Sequence, residues 1–402
     1  MTYPTRRPAD TWSPLYFLAS VGAGGLSVSF FMYLMFWVPH PGRPVPIFED
    51  MAAVLAGGNA ALSAAVIVAM AGIAIFGTMN LALLLWNLRR MRAFAASDTG
   101  RSLATTNAET QMMTLPLALA MSINGAFILG LVFVPGLWTV VEYLFPLAMV
   151  AFLAVGVLAF RQLGRFIARI MASGGFDCAR NNSFAQMMPA FAFAMVGVGM
   201  AAPAAMSVTA TTAGIAFIAS TFFLVAAGLI GAVAVVLGLR SIFENGVNPE
   251  QAPTLMMVIP LTTILAILVL RQTHGLHVHF DVHGGAGETM ALLTRLMSVE
   301  VLFAALGLTI LSATGYARRF LTGAVASPGN YALICPGVAL SVLTQFWINK
   351  GLVDAGLIAR FGTAYWALSA VAVAVQIAMV LLMVFLHRRH FGAARDTGAL
   401  AA

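Results

Sequence analysis

Ten stretches of about 20 or more largely apolar residues divide the chain, near 14–38, 60–88, 110–134, 137–160, 184–206, 211–240, 252–274, 288–316, 330–350 and 362–387. A helix rises about 1.5 Å per residue, so runs of this length match the roughly 30 Å hydrocarbon core of a bilayer. Lipid offers no partner for backbone N–H and C=O groups, which leaves self-satisfied helices as the structure these runs can adopt. Only 9% of the 402 residues are charged and 61% are hydrophobic, against about 25% charged in a soluble domain. The expected fold is an all-α integral membrane protein, one transmembrane domain over 1–402 with short cytoplasmic tails at 1–13 and 388–402. Apolar sequence behind the basic N-terminus is too long for the core of a signal peptide and is read as a retained first span.

Arginine placement orients the chain. Arg6 and Arg7 precede the first span, and Arg89, Arg90, Arg92 and Arg101 follow the second. Arg161, Arg165, Arg169 and Arg180 follow the fourth, Arg240 the sixth, Arg318 and Arg319 the eighth, and Arg388, Arg389 and Arg395 the tenth. The alternate connections hold only Arg43, Arg271, Arg295, Lys350 and Arg360. By the positive-inside rule both termini face the cytoplasm of a bacterial-type inner membrane. The net charge of +7 then records topology, and nucleic acid is not an expected partner.

A repeat underlies the spans. The odd-numbered ones carry Pro14, Pro116, Pro189, Pro260 and Pro336 in their first halves, the last four at intervals of 73, 71 and 76 residues. A recurring period marks a repeated structural unit, here a hairpin of one kinked inner helix and one straight, lipid-facing outer helix. Small residues follow several of these prolines, as at Gly22, Gly24, Gly25, Gly197, Gly199 and Gly337. Five hairpins around an axis would leave a narrow channel walled by small residues of the odd helices, with helix breaks at the prolines offering electropositive ends to an anion.

These segments carry a family resemblance. NPEQAPTLMMVIPLTTI (248–264), with Pro253, Thr254 and Pro260, resembles the seventh-helix entrance of the tellurite-resistance/dicarboxylate transporter family, which includes bacterial TehA and the plant slow-type anion channels. VGAGGLS (21–27) is similar to that family's glycine-rich first helix and ICPGVAL (334–340) to its ninth. The resemblance covers most of the chain. It implies a TehA-like, five-hairpin pore, usually homotrimeric, that passes small inorganic or organic anions. One departure matters. Where the family carries a pore-blocking phenylalanine before the ninth-helix proline, this chain has Cys335. Either another ring gates the path (Phe191, Phe193 or Phe346), or the path is open, or the protein is not a plain channel. A pore cysteine also fits the TsoY-like offshoot, some of whose members are selenoproteins.

Other candidates come from the residues themselves. A thiol beside a helix break is a binding or exchange site for a reduced sulfur or selenium species when nearby positive charge activates it, and an inert core residue otherwise. His277, His279, Asp281 and His283 alternate and would share one face of an extended strand, a donor set suited to zinc or copper, or else a plain polar loop. Ionisable groups within spans are functional candidates. Glu142, Glu300, Arg271 and Lys350 are expected to pair at the interface and lock hairpins together, or, for Arg271 and Lys350, to attract anions to an outer vestibule. Glu109 is expected as an exposed cap. Asn80, Ser122, Asn124, Thr344 and Gln345 are uncharged groups that either offer donors to an anion or bond between helices. No catalytic dyad or triad spacing, phosphate loop, paired haem ligands or buried mid-span lysine occurs, so neither enzymatic activity nor a cofactor is expected.

Overall fold

The computed structural model describes residues 7–392, so Arg6, Arg395 and the outer parts of both tails lie outside the described residues. Ten helices are long and apolar enough to cross a membrane, and no strand occurs among the described residues. They are α1 (Pro14–Trp37), α2 (Ala60–Ala96), α3 (Asn107–Phe133), α4 (Leu137–Ser173), α5 (Ala185–Met206), α6 (Ala210–Asn245), α7 (Pro249–His279), α8 (Ala286–Ala313), α9 (Pro328–Val353) and α10 (Thr363–Phe391). The protein is therefore an all-α, multi-pass membrane protein.

Burial separates the helices into two layers. In the most apolar window of each odd-numbered helix 56–94% of residues are buried, against 11–33% for the even-numbered ones. Large apolar side chains such as Ile75, Leu147, Ile218, Leu229, Leu308 and Leu381 on the even helices are more than half exposed. Without lipid that would be an untenable surface. Each odd helix packs against the even helix that follows it. The odd helices also touch one another in order, α1 with α3, α3 with α5, α5 with α7, α7 with α9, and α9 with α1, which closes a ring.

The prolines have a different local role from the one expected of them. Each inner helix begins with a tight 3₁₀ segment, at Pro14–Tyr16, Asn107–Met113, Ala185–Met187, Pro249–Met257 and Pro328–Leu333. All five run directly into α-helix, at Phe17, Thr114, Met188, Val258 and Ile334. Pro116, Pro189, Pro260 and Pro336 are the second or third residue of that α-helix, where a backbone N–H has no intrahelical partner to lose. They mark the change from 3₁₀ to α winding and do not kink a continuous helix. Prolines inside α-helix are found instead at Pro146, on an outer helix, and Pro203.

The 3₁₀ segments form a second ring at the end of the bundle where the odd helices start. Thr114 donates to the carbonyl of Pro14 (2.9 Å) and Gln186 to that of Asn107 (3.0 Å). Ser183 donates to Gln251 (2.6 Å), the Phe184 N–H to Thr254 (3.0 Å), and Ser327 to Glu250 (2.6 Å). Four of these bonds join residues 68 to 79 positions apart, one repeat length. Tyr16 bonds to His390 (2.9 Å), bringing the first and last spanning helices together at the same end.

Glycines in the inner helices divide between two roles: Gly22, Gly25 and Gly199 line the space inside the ring, whereas Gly24, Gly197 and Gly337 serve packing. A Cβ on Gly24 would lie 2.7 Å from Met121, on Gly197 2.8 Å from Leu268, and on Gly337 2.4 Å from Met379. Each of these three is a socket for a large side chain of a neighbouring helix.

Candidate functional site

Inside the ring of odd helices lies a cavity of about 1120 Å³. Its inner end is lined by Gly22, Met121, Phe191, Pro260 and Cys335, all buried. None of the 3₁₀ residues lines it, so it stops short of the end where the odd helices start. At the other end its lining includes the exposed residues Thr273, His274, His277, Lys350 and Arg360, and there it opens. The middle of the wall is methionine and phenylalanine (Met32, Met35, Phe127, Phe145, Phe152, Met195) with the amide of Asn124 among them. That wall is apolar and mixed: the expected small residues are present, with Gly25, Gly199, Ala202 and Ala205 lining it, but bulky side chains stand among them.

Charge gathers at the mouth and is one-sided. Four basic side chains, Arg43, Arg271, Lys350 and Arg360, line the cavity, and Asp354 is the one carboxylate among its lining residues. Arg43 is paired with Asp50, and the Lys350 ammonium lies 3.5 Å from Asp354. Arg271 and Arg360 have no carboxylate within 4.0 Å among the described residues. They donate to backbone carbonyls instead, Arg271 to Val198 (2.7 Å) and Arg360 to Phe36 (2.6 Å). Each guanidinium carries five donors, so most remain free to meet an anion. The last two turns of α9, Trp347–Val353, are wound as π-helix, and they bring Asn349, Lys350 and Val353 to the mouth. Such widened turns recur at functional sites.

The expected pairing of intramembrane charges is not what forms. Glu142 accepts from Ser207 and from the Val208 N–H, both at 2.8 Å, tying α4 to the α5–α6 turn. Glu300 is not near a helix end but the fifteenth of 28 residues in α8, fully buried, and bonded to Thr263. Neither glutamate meets Arg271 or Lys350. Glu109 is no exposed cap either, since it holds a half-buried ion pair with Arg169 at 2.9 Å. Asn80 is buried and donates to the Ser20 carbonyl (2.8 Å) and hydroxyl (3.0 Å), an interhelical clamp between α2 and α1.

The three candidate gating rings part company. Phe191 sits at the floor of the cavity. Phe346 lies nearer the mouth, edge-on to Phe36 at 5.2 Å. Phe193 does not line the cavity and packs outward against Phe160 (4.5 Å) and Phe223 (6.2 Å). Of the proline positions and Cys335, only Pro260 and Cys335 reach the cavity; Pro14, Pro116, Pro189 and Pro336 do not line it. Cys335 is buried and free, and it makes no hydrogen bond to a basic side chain among the described residues.

The histidine segment is not an extended strand. His277 and His279 belong to the last turn of α7, which ends as Asp281 takes a left-handed conformation (φ 54°). His279 bonds to the Ser207 carbonyl (2.8 Å), while the rings of His277 and His283 lie 5.1 Å apart. Among the described residues no group of three or more His, Cys, Asp or Glu side chains is arranged to hold a metal ion.

Sequence reasoning passed over Arg43 and Arg360 as sites, counting them only as basic residues on the arginine-poor side. That misplacement was itself the signal, because a positive charge kept on the disfavoured side needs a reason. No family model and no curated protein matches the chain.

Proposed function

We propose that the protein is a channel or transporter for small anions, which pass along the axis of the five odd-numbered helices. The observation that carries this reading is a cavity inside the helix ring whose mouth holds two arginines without carboxylate partners among the described residues. Unneutralised cations in a low-dielectric funnel concentrate anions, and free guanidinium donors replace part of the water an anion gives up. With both termini cytoplasmic, the mouth faces outward and Phe191 forms the inner barrier. The resemblance to the tellurite-resistance/dicarboxylate family supports the same reading and extends it to a homotrimer. Purified protein in liposomes tests it with chloride, nitrate, sulfite and thiosulfate as probes. Uptake above empty vesicles is expected for at least one of them, reduced by Arg271→Gln. No uptake of any probe would sink the proposal.

A second reading has one observation in its favour, the Cys335 sulfur at the inner end of the cavity. In it the thiol binds a reduced sulfur or selenium species during passage. Cys335→Ser separates the two, since unchanged sulfite and thiosulfate uptake removes the thiol from the mechanism.

A further inference from the structure

One buried acid stands directly behind the cavity wall. Glu300 is 0% exposed, at the middle of the outer helix α8, about 21 Å along it from its start. Its Oε1 meets the hydroxyl of Thr263, which lines the cavity near Pro260 and Cys335. Its Oε2 is buried without a hydrogen-bond partner. The titratable and charged groups on the helices packed against α8 are Glu250, Arg271 and three histidines (His274, His277, His279) on α7, with Tyr331, Cys335 and Lys350 on α9. Glu288 and Arg295 lie on α8 itself. None of these bonds to Glu300, and no cation lies within 4.0 Å of it among the described residues. An ionised carboxylate in that position would lack any compensating charge.

The geometry around Thr263 points the same way. Its single hydroxyl proton faces two acceptor oxygens, Glu300 Oε1 and the Ala339 carbonyl at 3.2 Å. A hydroxyl donates once but also accepts. If the carboxyl carries a proton, both contacts become bonds: Glu300 donates to Thr263, and Thr263 donates to Ala339.

Resting on the anion-transport reading, we propose that Glu300 is a proton-binding site that loads and releases one proton through Thr263 as the cavity takes up its anion. On release, the Thr263 oxygen accepts the carboxyl proton while its own proton leaves to a cavity water, so one proton moves and the hydroxyl is restored. The anion arrives with a proton in reach, and movement of the pair carries less net charge across the membrane than the anion alone.

Two measurements test this. Infrared spectra of the wild type in lipid at neutral pH are expected to contain a carboxylic-acid C=O band that shifts in D₂O, is lost in Glu300→Gln and moves in Thr263→Val. Thr263→Val keeps the acid, so the band remains informative should the Gln variant fold poorly. In liposomes loaded with a pH-sensitive dye, external nitrate or sulfite is expected to acidify the lumen with the wild type, and Glu300→Gln to lose that signal. Absence of the band from the wild type, or lumen acidification by Glu300→Gln equal to the wild type, overturns the proposal. Failure of every anion to cross would refute the transport reading, and the infrared band would still decide the proton site.

Discussion

Replacing Gly275 by alanine tests how closely the inner helices are drawn together. A Cβ placed on Gly275 of α7 lies 2.1 Å from the carbonyl oxygen of Ala204 and 2.8 Å from its carbon, on α5. Ordinary contact begins near 3.4 Å, so the two backbones must separate by about 1.3 Å. No side chain can turn aside, since the obstacle is main chain. Overpacking costs roughly 1–3 kcal/mol, and a rigid obstacle puts this case near the top. Relief from glycine's flexibility within a helix returns about 0.5–1 kcal/mol, leaving a net loss of roughly 2 kcal/mol. The same separation stretches the bond from Arg271, one turn away, to Val198 on α5. At Gly228, on the outer helix α6, a methyl group would meet no atom within 4 Å. Gly228→Ala is therefore expected to stabilise by about 0.5–1 kcal/mol. Equilibrium unfolding in mixed micelles, followed by circular dichroism, measures both variants. If Gly275→Ala proves as stable as Gly228→Ala, the close approach of α5 and α7 is wrong.

Asn80→Ala removes both donors to Ser20 and should cost about 1–2 kcal/mol in the same unfolding assay, because the buried clamp between α1 and α2 is lost. Phe193→Ala should lose roughly 3–5 kcal/mol of stability, whereas Phe191→Ala should raise anion flux in liposomes by opening the cavity floor. The reverse pattern would exchange their roles. Cys335→Phe adds a ring at the inner end of the cavity and should cut flux below that of Cys335→Ser, as read by uptake of whichever probe the wild type carries.

The spans, their number and the inner and outer alternation were legible because lipid allows few solutions and the proline period is long-range. What the prolines do locally was not legible. A proline in the first turn of an α-helix and one that kinks its middle look alike until the 3₁₀ lead-in is known. For the same reason glycines that admit Met121 or Met379 look like glycines lining a channel. Arg271 and Lys350 were found through their position within spans; the Val198 carbonyl was not, since it is fixed by how α5 and α7 pack, whereas Asp354, four residues beyond Lys350, was open to an i,i+4 reading. Phe191 and Phe193 lie two residues apart on one helix, nearly opposite in direction, and only packing tells which ring faces inward. The histidines alternate as a strand would, yet apolar sequence upstream carries α7 through His279 before the chain can turn.

The ring of 3₁₀ segments has a consequence for how the molecule comes into being. Its bonds join each repeat to the next, and its closure joins the first helix to the last through Tyr16 and His390. During synthesis the growing chain is an open arc, with one flank of α1 awaiting a neighbour made more than 300 residues later. Until that neighbour inserts there is no enclosed space and no finished wall. The protein should mature in a single late step, and a chain cut short by its final hairpin should be recognised by the cell as incomplete however well its earlier helices have inserted.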